Sequence, residues 1–387
     1  MLGILACAEL LGMALWFTGS AVGPALARAW DLSVSQVGWL TTAVQLGFVV
    51  GTAVSALLNL ADVLPARLLF SCAAVLGALA NLPLASTSSY RVALLSRFVA
   101  GCCLAGVYPP AMKMAATWFR ARRGVAVGVI VGALTIGKAT PYLAQAWPGA
   151  TVRVVTLLSS ASALVAAMVV YVAYRDGPFE FPSRPFAWAR VGEVVRERRW
   201  RLATGGYLGH MAELYSFWTW IPAFLLASDA VHAARTGAPA NARIAALLAF
   251  GVIAVGGVGC VWGGVVADRI GRARLVTLAM AISASCAVAI GAAWGQSWWL
   301  LAPLALVWGF FVIADSAQFS VLVTESVPAH AVGTALTLQV SIGFLLTTIT
   351  IQLIPPLVQL IGWQWVFPVL AIGPLLGILS IRRLARS

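Results

Sequence analysis

Charge is what this 387-residue sequence has least of: charged side chains make up 10% of it, against about 25% in an ordinary soluble domain. Twelve acidic and 25 basic residues cannot cover a water-soluble body of this size, so a cytosolic enzyme, a secreted domain and a disordered chain are excluded. Lysine is nearly missing, with Lys113 and Lys138 the two present, and histidine occurs three times. The six cysteines (Cys7, Cys72, Cys102, Cys103, Cys260 and Cys286) lie inside apolar stretches, and no Cys/His spacing suits a metal. They read as small packing residues. There is no phosphate-cradling glycine loop and no nucleophile–base constellation. Neither a cofactor nor an enzymatic activity is expected, and any work the protein does must draw on a gradient.

What the sequence has in excess is hydrocarbon: 61% hydrophobic residues and a mean hydropathy of +0.94. Charges and Pro/Gly turns divide it into twelve apolar runs, at about 2–27, 36–60, 67–87, 91–112, 124–145, 151–174, 202–227, 243–266, 275–295, 298–322, 333–354 and 363–382. A spanning helix needs about 20 such residues. Lipid tolerates no unpaired backbone, and these runs are too long for barrel strands. The expected fold is all-α, with twelve transmembrane helices in two six-helix bundles, residues 1–174 and 201–387, joined by a linker at 175–200. The first run is too long for the core of a signal peptide and reads as the first span.

A net charge of +13 would suggest nucleic acid in a soluble chain, but its distribution points to the bilayer. Eighteen of the 25 basic residues fall on one side of the predicted spans, five on the other (Arg28, Arg91, Arg153, Arg235 and Arg243), and two within them (Arg97 and Lys138). By the positive-inside rule both termini, residues 113–123 and residues 175–200 are cytoplasmic, and 228–242 face outward. The expected location is the cell (inner) membrane, with lipid as a partner, no nucleic acid, and a monomeric chain.

Two segments repeat across the halves. DVLPAR, Asp62 to Arg67, follows the second run, and DRIGRAR, Asp268 to Arg274, follows the eighth. Such repeats are expected of transporters whose site lies between halves. GVVADRIGRAR, Gly264 to Arg274, resembles the loop signature GxxxDRxGRxR of the major facilitator superfamily, and it stands where that family has it. In the first copy Asp62 and Arg67 remain, while Leu58, Val63 and Pro65 replace the first Gly, the Arg and the second Gly. RFVAGCCLAGVYPP, Arg97 to Pro110, is similar to the family's RxxxG motif in the fourth helix.

The resemblance covers essentially the whole chain and implies alternating access. It implies an inner gate in which Asp268, with Arg269, Gly271 and Arg272, meets the positive N-terminal end of the fifth run, and Asp62 meets that of the eleventh. It also implies that the fifth run packs on the eighth and the second on the eleventh. Gly124, Gly128 and Gly132, Gly259 and Gly263, and Gly47 and Gly51 would allow close approach there. Gly128 to Lys138 resembles the fifth-helix motif of drug/proton antiporters, with Ala133 and Lys138 in place of its Pro and last Gly. The fourth-, tenth- and eleventh-run segments look more like bacterial nitrate/cyanate-type porters, without the buried arginines those carry in their second and eighth helices.

Charges inside a span are costly and mark candidate function. Arg97 lies about 9 Å from the outer end of the fourth run, and Lys138 about 21 Å from the inner end of the fifth, which gives them a common height. Two cations there would suit one anion, with Tyr108 and Gln318 as further substrate-binding residues. His210 and Glu213 stand at i, i+3 on the seventh run and suit proton coupling, as does Asp315, which shares a face with Gln318. Glu9 lies at similar depth to Asp315. The expected function is therefore a secondary active, proton-coupled transporter of a small solute, an anion before a cation. The alternatives are a drug/proton antiporter exporting cationic amphiphiles, favoured by acidic groups among Trp16, Phe17, Trp218 and Trp308, and a non-transporting sensor with a transporter fold.

Overall fold

The computed structural model describes residues 1–119, 123–179 and 187–387, apart from the side chains of residues 61, 62, 123 and 124. The first apolar run is two helices, α1 (Leu2–Met13) and α2 (Thr18–Trp30), joined by a turn at 14–17. There follow α3 (Val34–Leu57), the single turn α4 (Leu60–Val63) and α5 (Ala66–Asn81). The fourth run also divides, into α6 (Tyr90–Leu104) and α7 (Tyr108–Ala116). Pro109 and Pro110 bring no N–H to the turn at 105–107, which leaves carbonyls free there. α8 (Arg123–Gln145) and α9 (Val152–Ala173) complete the first part.

After the linker, which contains α10 (Val191–Arg196), come α11 (Arg198–Thr236), α12 (Ala242–Ile270) and α13 (Arg272–Ala289). The tenth run is α14 (Trp298–Ala314) and α15 (Ser316–Thr324), hinged at Asp315. The last helices are α16 (Val332–Leu370) and α17 (Ile372–Ala385). The ends carry ordinary signals. Ser33 and Gln36 form a reciprocal capping box on α3, and Asn241 accepts from the Ile244 N–H at 3.1 Å to cap α12. Gly271 alone separates α12 from α13, at φ 89° and ψ 146°, a conformation only glycine adopts readily.

Among the described residues all regular structure is helical, and ten stretches are long and apolar enough to cross a membrane. One of them, Ala329–Ala385, has 57 residues and is broken inside by Gly362 at φ 77°. Pro355 and Pro356, between the eleventh and twelfth runs, make no turn: the helix runs through both. A proline can sit within a membrane helix when its neighbours satisfy the freed backbone, whereas a left-handed φ interrupts it. α11, 39 residues long, is not among the ten. Its polar, glycine and aromatic residues dilute its hydropathy.

Packing runs through small residues. α8 lies along α12, and α3 lies between α6 and α16. A Cβ on Gly132 would stand 2.7 Å from the Gly257 carbonyl oxygen, so these two backbones touch. The other glycine pairs serve different neighbours from those expected. Gly47 and Gly51 abut the backbone of Phe98 and Cys102 on α6, and Gly259 and Gly263 abut Phe310 and Ala314. Spacing announces close approach but not which neighbouring helix approaches. Residues 187–193 of the linker dock at the start of α16: the Ala187 N–H donates to Thr334 Oγ1 at 3.0 Å, and His330 Nε2 lies 3.0 Å from Glu193 Oε1.

Candidate functional site

Lys138 reaches from α8 into a cage of three aromatic rings. Its ammonium lies 3.9 Å from the Trp16 ring centroid, 4.9 Å from that of Tyr215 and 5.3 Å from that of Trp218. It donates to the Tyr215 hydroxyl at 2.7 Å, and the residue is 2% exposed. Local structure builds the cage. Tyr215 and Trp218 are three apart on α11 and share a face. Trp16 is thrown inward by the α1–α2 turn, and the glycine contact with α12 holds α8 close. Phe48 and Phe344 back the cage: the Trp16 and Phe48 centroids are 5.1 Å apart, and those of Phe48 and Phe344 4.6 Å. Desolvated cation–π contacts are worth about 2 kcal/mol or more each.

Glu9, on α1, is fully buried and within electrostatic reach of Lys138 and of Tyr108, the first residue of α7. Both of its carboxylate oxygens have no hydrogen-bond partner among the described residues. The same holds for the indole nitrogens of Trp16 and Trp218. Glu9, Tyr215 and Trp218 were not assigned as site residues from the sequence. Charge in an apolar run signals Glu9, but nothing in the sequence says that two aromatics on α11 will face a lysine on α8.

Arg97 and Lys138 meet at Trp16 but do different things there. The fully buried guanidinium of Arg97 donates to Asn81 Oδ1 and to the carbonyl oxygens of Leu15 and Trp16. Those carbonyls are freed by the α1–α2 turn, and lipid offers them no water. Asn81 in turn donates to Ser160 Oγ at 2.9 Å and to the Thr156 carbonyl at 3.3 Å. These hydrogen bonds engage both Nη atoms of Arg97, and its Nε has no partner among the described residues. Matched height placed them side by side, but Arg97 is occupied in holding a broken backbone while Lys138 lies on the ring of the same residue.

His210 and Glu213 also part company. Though three apart on α11, as Tyr215 and Trp218 are, they meet different neighbours. His210 Nδ1 lies 2.9 Å from Asp315 Oδ1, at ion-pair distance but without hydrogen-bond alignment. Glu213 Oε1 accepts from Ser283 Oγ at 2.8 Å and from Trp308 Nε1 at 2.9 Å. Asp315 sits at the α14–α15 hinge, and Gln318 is buried one turn beyond it.

At the C-terminal end of α12, Asp268 and Arg269 are exposed, Gly271 makes the turn, and Arg272 Nη1 pairs with Glu325 Oε1 at 3.1 Å. The side chain of Asp62 and residues 120–122 before α8, on which the gate expectation also rests, lie outside the described residues. Gln352, not foreseen, ties α16 to α3: it accepts from Ser35 Oγ at 3.1 Å and donates to Thr42 Oγ1 at 2.9 Å. A cavity of about 350 Å³ is lined by Arg28, Gln145, Trp147 and Arg243, and no acidic residue lines it.

No curated protein matches the sequence. The sequence model of the Major Facilitator Superfamily matches residues 4–351. With helices long and apolar enough to cross a membrane many times over, the chain belongs to the Major Facilitator Superfamily and is a multi-pass membrane transporter.

Proposed function

We propose that this transporter is a secondary active, proton-coupled carrier of a small solute that presents negative charge to Lys138. In this reading it works by alternating access between two six-helix halves, residues 1–174 and 201–387. Twelve crossings follow when Ala329–Ala385 is counted as two, divided at Gly362, and α11 is added to the remaining stretches. The observation that carries the reading is the Lys138–Tyr215 bond, because it joins a cation from the first half to an aromatic face of the second inside a buried cage. In this reading Tyr108, within electrostatic reach of Glu9, and Gln318 complete the substrate-binding set. Glu213, held by Ser283 and Trp308, and the His210–Asp315 pair are the proton-coupling groups. Arg97 is a positioning residue for Trp16. The arginine-lined outer cavity favours entry of anions. Asp62, Asp268, Arg269, Gly271 and Arg272 form the inner gate. The chain acts as a monomer in the inner membrane, both termini cytoplasmic.

One observation favours a second reading, export of cationic amphiphiles: the rings that hold the Lys138 ammonium would also hold a solute's cation. Purified protein in liposomes carrying an internal pH dye separates the two. Carboxylate-bearing solutes added outside should move protons inward with the solute. Proton movement driven by quaternary ammonium dyes alone would establish the second reading instead. No solute-linked proton movement across anions, cations and sugars would overturn both.

A further inference from the structure

We propose that the transported solute is amphoteric, with a carboxylate received by Lys138 and the indole N–H groups of Trp16 and Trp218, an ammonium group received by Glu9, and an apolar or aromatic body. This rests on the reading of the Lys138 cage as the solute site. The starting observation is a buried basic group and a buried acidic group that do not answer each other. Glu9 is 0% exposed and Lys138 2%, and each is in the other's electrostatic reach. Yet Lys138 spends its hydrogen bond on Tyr215, and neither oxygen of Glu9 has a partner among the described residues. A buried carboxylate without hydrogen bonds is among the most costly arrangements a protein holds, and it is retained where function needs it.

The unanswered groups of the cage rings and of Glu9 differ in kind. Around the ammonium they are donors, Trp16 Nε1 and Trp218 Nε1. At Glu9 they are acceptors. Gly137, beside Lys138, abuts the backbone of Leu10, beside Glu9, so the two groups flank one close contact between α1 and α8. A simple anion would satisfy the donors and leave Glu9 unanswered. A simple cation would satisfy Glu9, place a second positive charge beside Lys138 and leave both indoles unanswered. A neutral polyol could bond to all of them but would leave both charges uncompensated. A molecule bearing both charges close together answers Lys138, the two indoles and Glu9 at once. The rings of Trp16, Phe48, Tyr215 and Phe344, packed at a tilt with 4.6–6.0 Å between neighbouring centroids, offer the remainder of the solute an apolar wall.

Three probes with one phenyl body test this: phenylalanine, 3-phenylpropanoate, which lacks the amine, and phenethylamine, which lacks the carboxylate. Binding is measured by calorimetry on the purified full-length protein, with gel filtration to confirm the fold of each variant. Phenylalanine should bind at least tenfold more tightly than either relative. Glu9→Gln should reduce phenylalanine to the affinity of 3-phenylpropanoate and leave 3-phenylpropanoate unchanged, and Lys138→Met should remove the advantage of the carboxylate. Should the charge variants not fold, Trp218→Phe keeps the ring and removes only the N–H. It should weaken both carboxylate probes several-fold and leave phenethylamine unchanged; an equal loss for all three would overturn the assignment. If 3-phenylpropanoate binds as well as phenylalanine, the amphoteric assignment falls and the anionic reading stands. If phenethylamine binds best, both fall. If none binds, the assignment is overturned, while proton movement driven by another solute in liposomes would leave the transporter reading intact.

Discussion

Arg97 and Lys138 are two buried cations of nearly equal depth, and their surroundings set them different tasks. Removing the Arg97 guanidinium leaves three buried acceptors, Asn81 Oδ1 and the Leu15 and Trp16 carbonyls, without a donor. Each such orphan costs about 1–3 kcal/mol. Lys138 has one hydrogen-bond partner, the Tyr215 hydroxyl, and rings that tolerate an apolar replacement. Arg97→Leu should therefore lower the midpoint of thermal unfolding in detergent by several degrees more than Lys138→Met does. Equal losses would show that Arg97 is not the strut of the α1–α2 turn. The sequence marks both residues as charges inside apolar runs, and both are buried. It could not tell strut from ligand, because that depends on which carbonyls the first run sets free, and residues 14–17 (Ala-Leu-Trp-Phe) contain no glycine or proline to announce a break.

At the scale of elements, the apolar runs were legible because hydrocarbon length is written directly in composition. Their interruptions were legible only where chemistry marks them. Gly362 and Pro109-Pro110 are marked; the turn at 14–17 and the hinge at Asp315 are not. All three divided runs place a candidate residue at or beside the interruption: Trp16, Tyr108 and Asp315. Irregular backbone at membrane depth is tolerated where it is buried in protein or lines a cavity. Close packing is the counterpart of these breaks. Gly132 and Gly257 bring α8 against α12, with Lys138 less than two turns beyond Gly132. Gly132→Val drives a branched side chain into the Gly257 carbonyl, 2.7 Å from the position of its Cβ. The two helices must then separate, at a cost of about 1–3 kcal/mol. The variant should lose most transport while Gly251→Val, whose Cβ site meets only Leu306 at 3.7 Å, keeps it. Equal transport by both would remove the helix contact from the account.

For the whole molecule, the uneven distribution of arginine carries the orientation, and impermeant thiol labelling on intact cells checks it. In a cysteine-free background, Ala238→Cys, in the exposed segment between α11 and α12, should be labelled from outside, and Ser387→Cys should not. The reverse pattern would invert the topology. Family membership was legible in one loop, Gly264 to Arg274. The partners of the membrane charges were not, because they are set by helix rotation and by which of several small-residue faces meet; His210 facing Asp315 while Glu213 faces Trp308 is such a case. The most direct measurement of the central claim follows solute accumulation in proteoliposomes under an imposed pH gradient, comparing the native chain with Lys138→Met and Glu213→Gln. The account predicts that the native protein concentrates a carboxylate-bearing solute, that Lys138→Met neither binds nor accumulates it, and that Glu213→Gln still binds and exchanges it but no longer concentrates it. Undiminished binding and accumulation by Lys138→Met would contradict it.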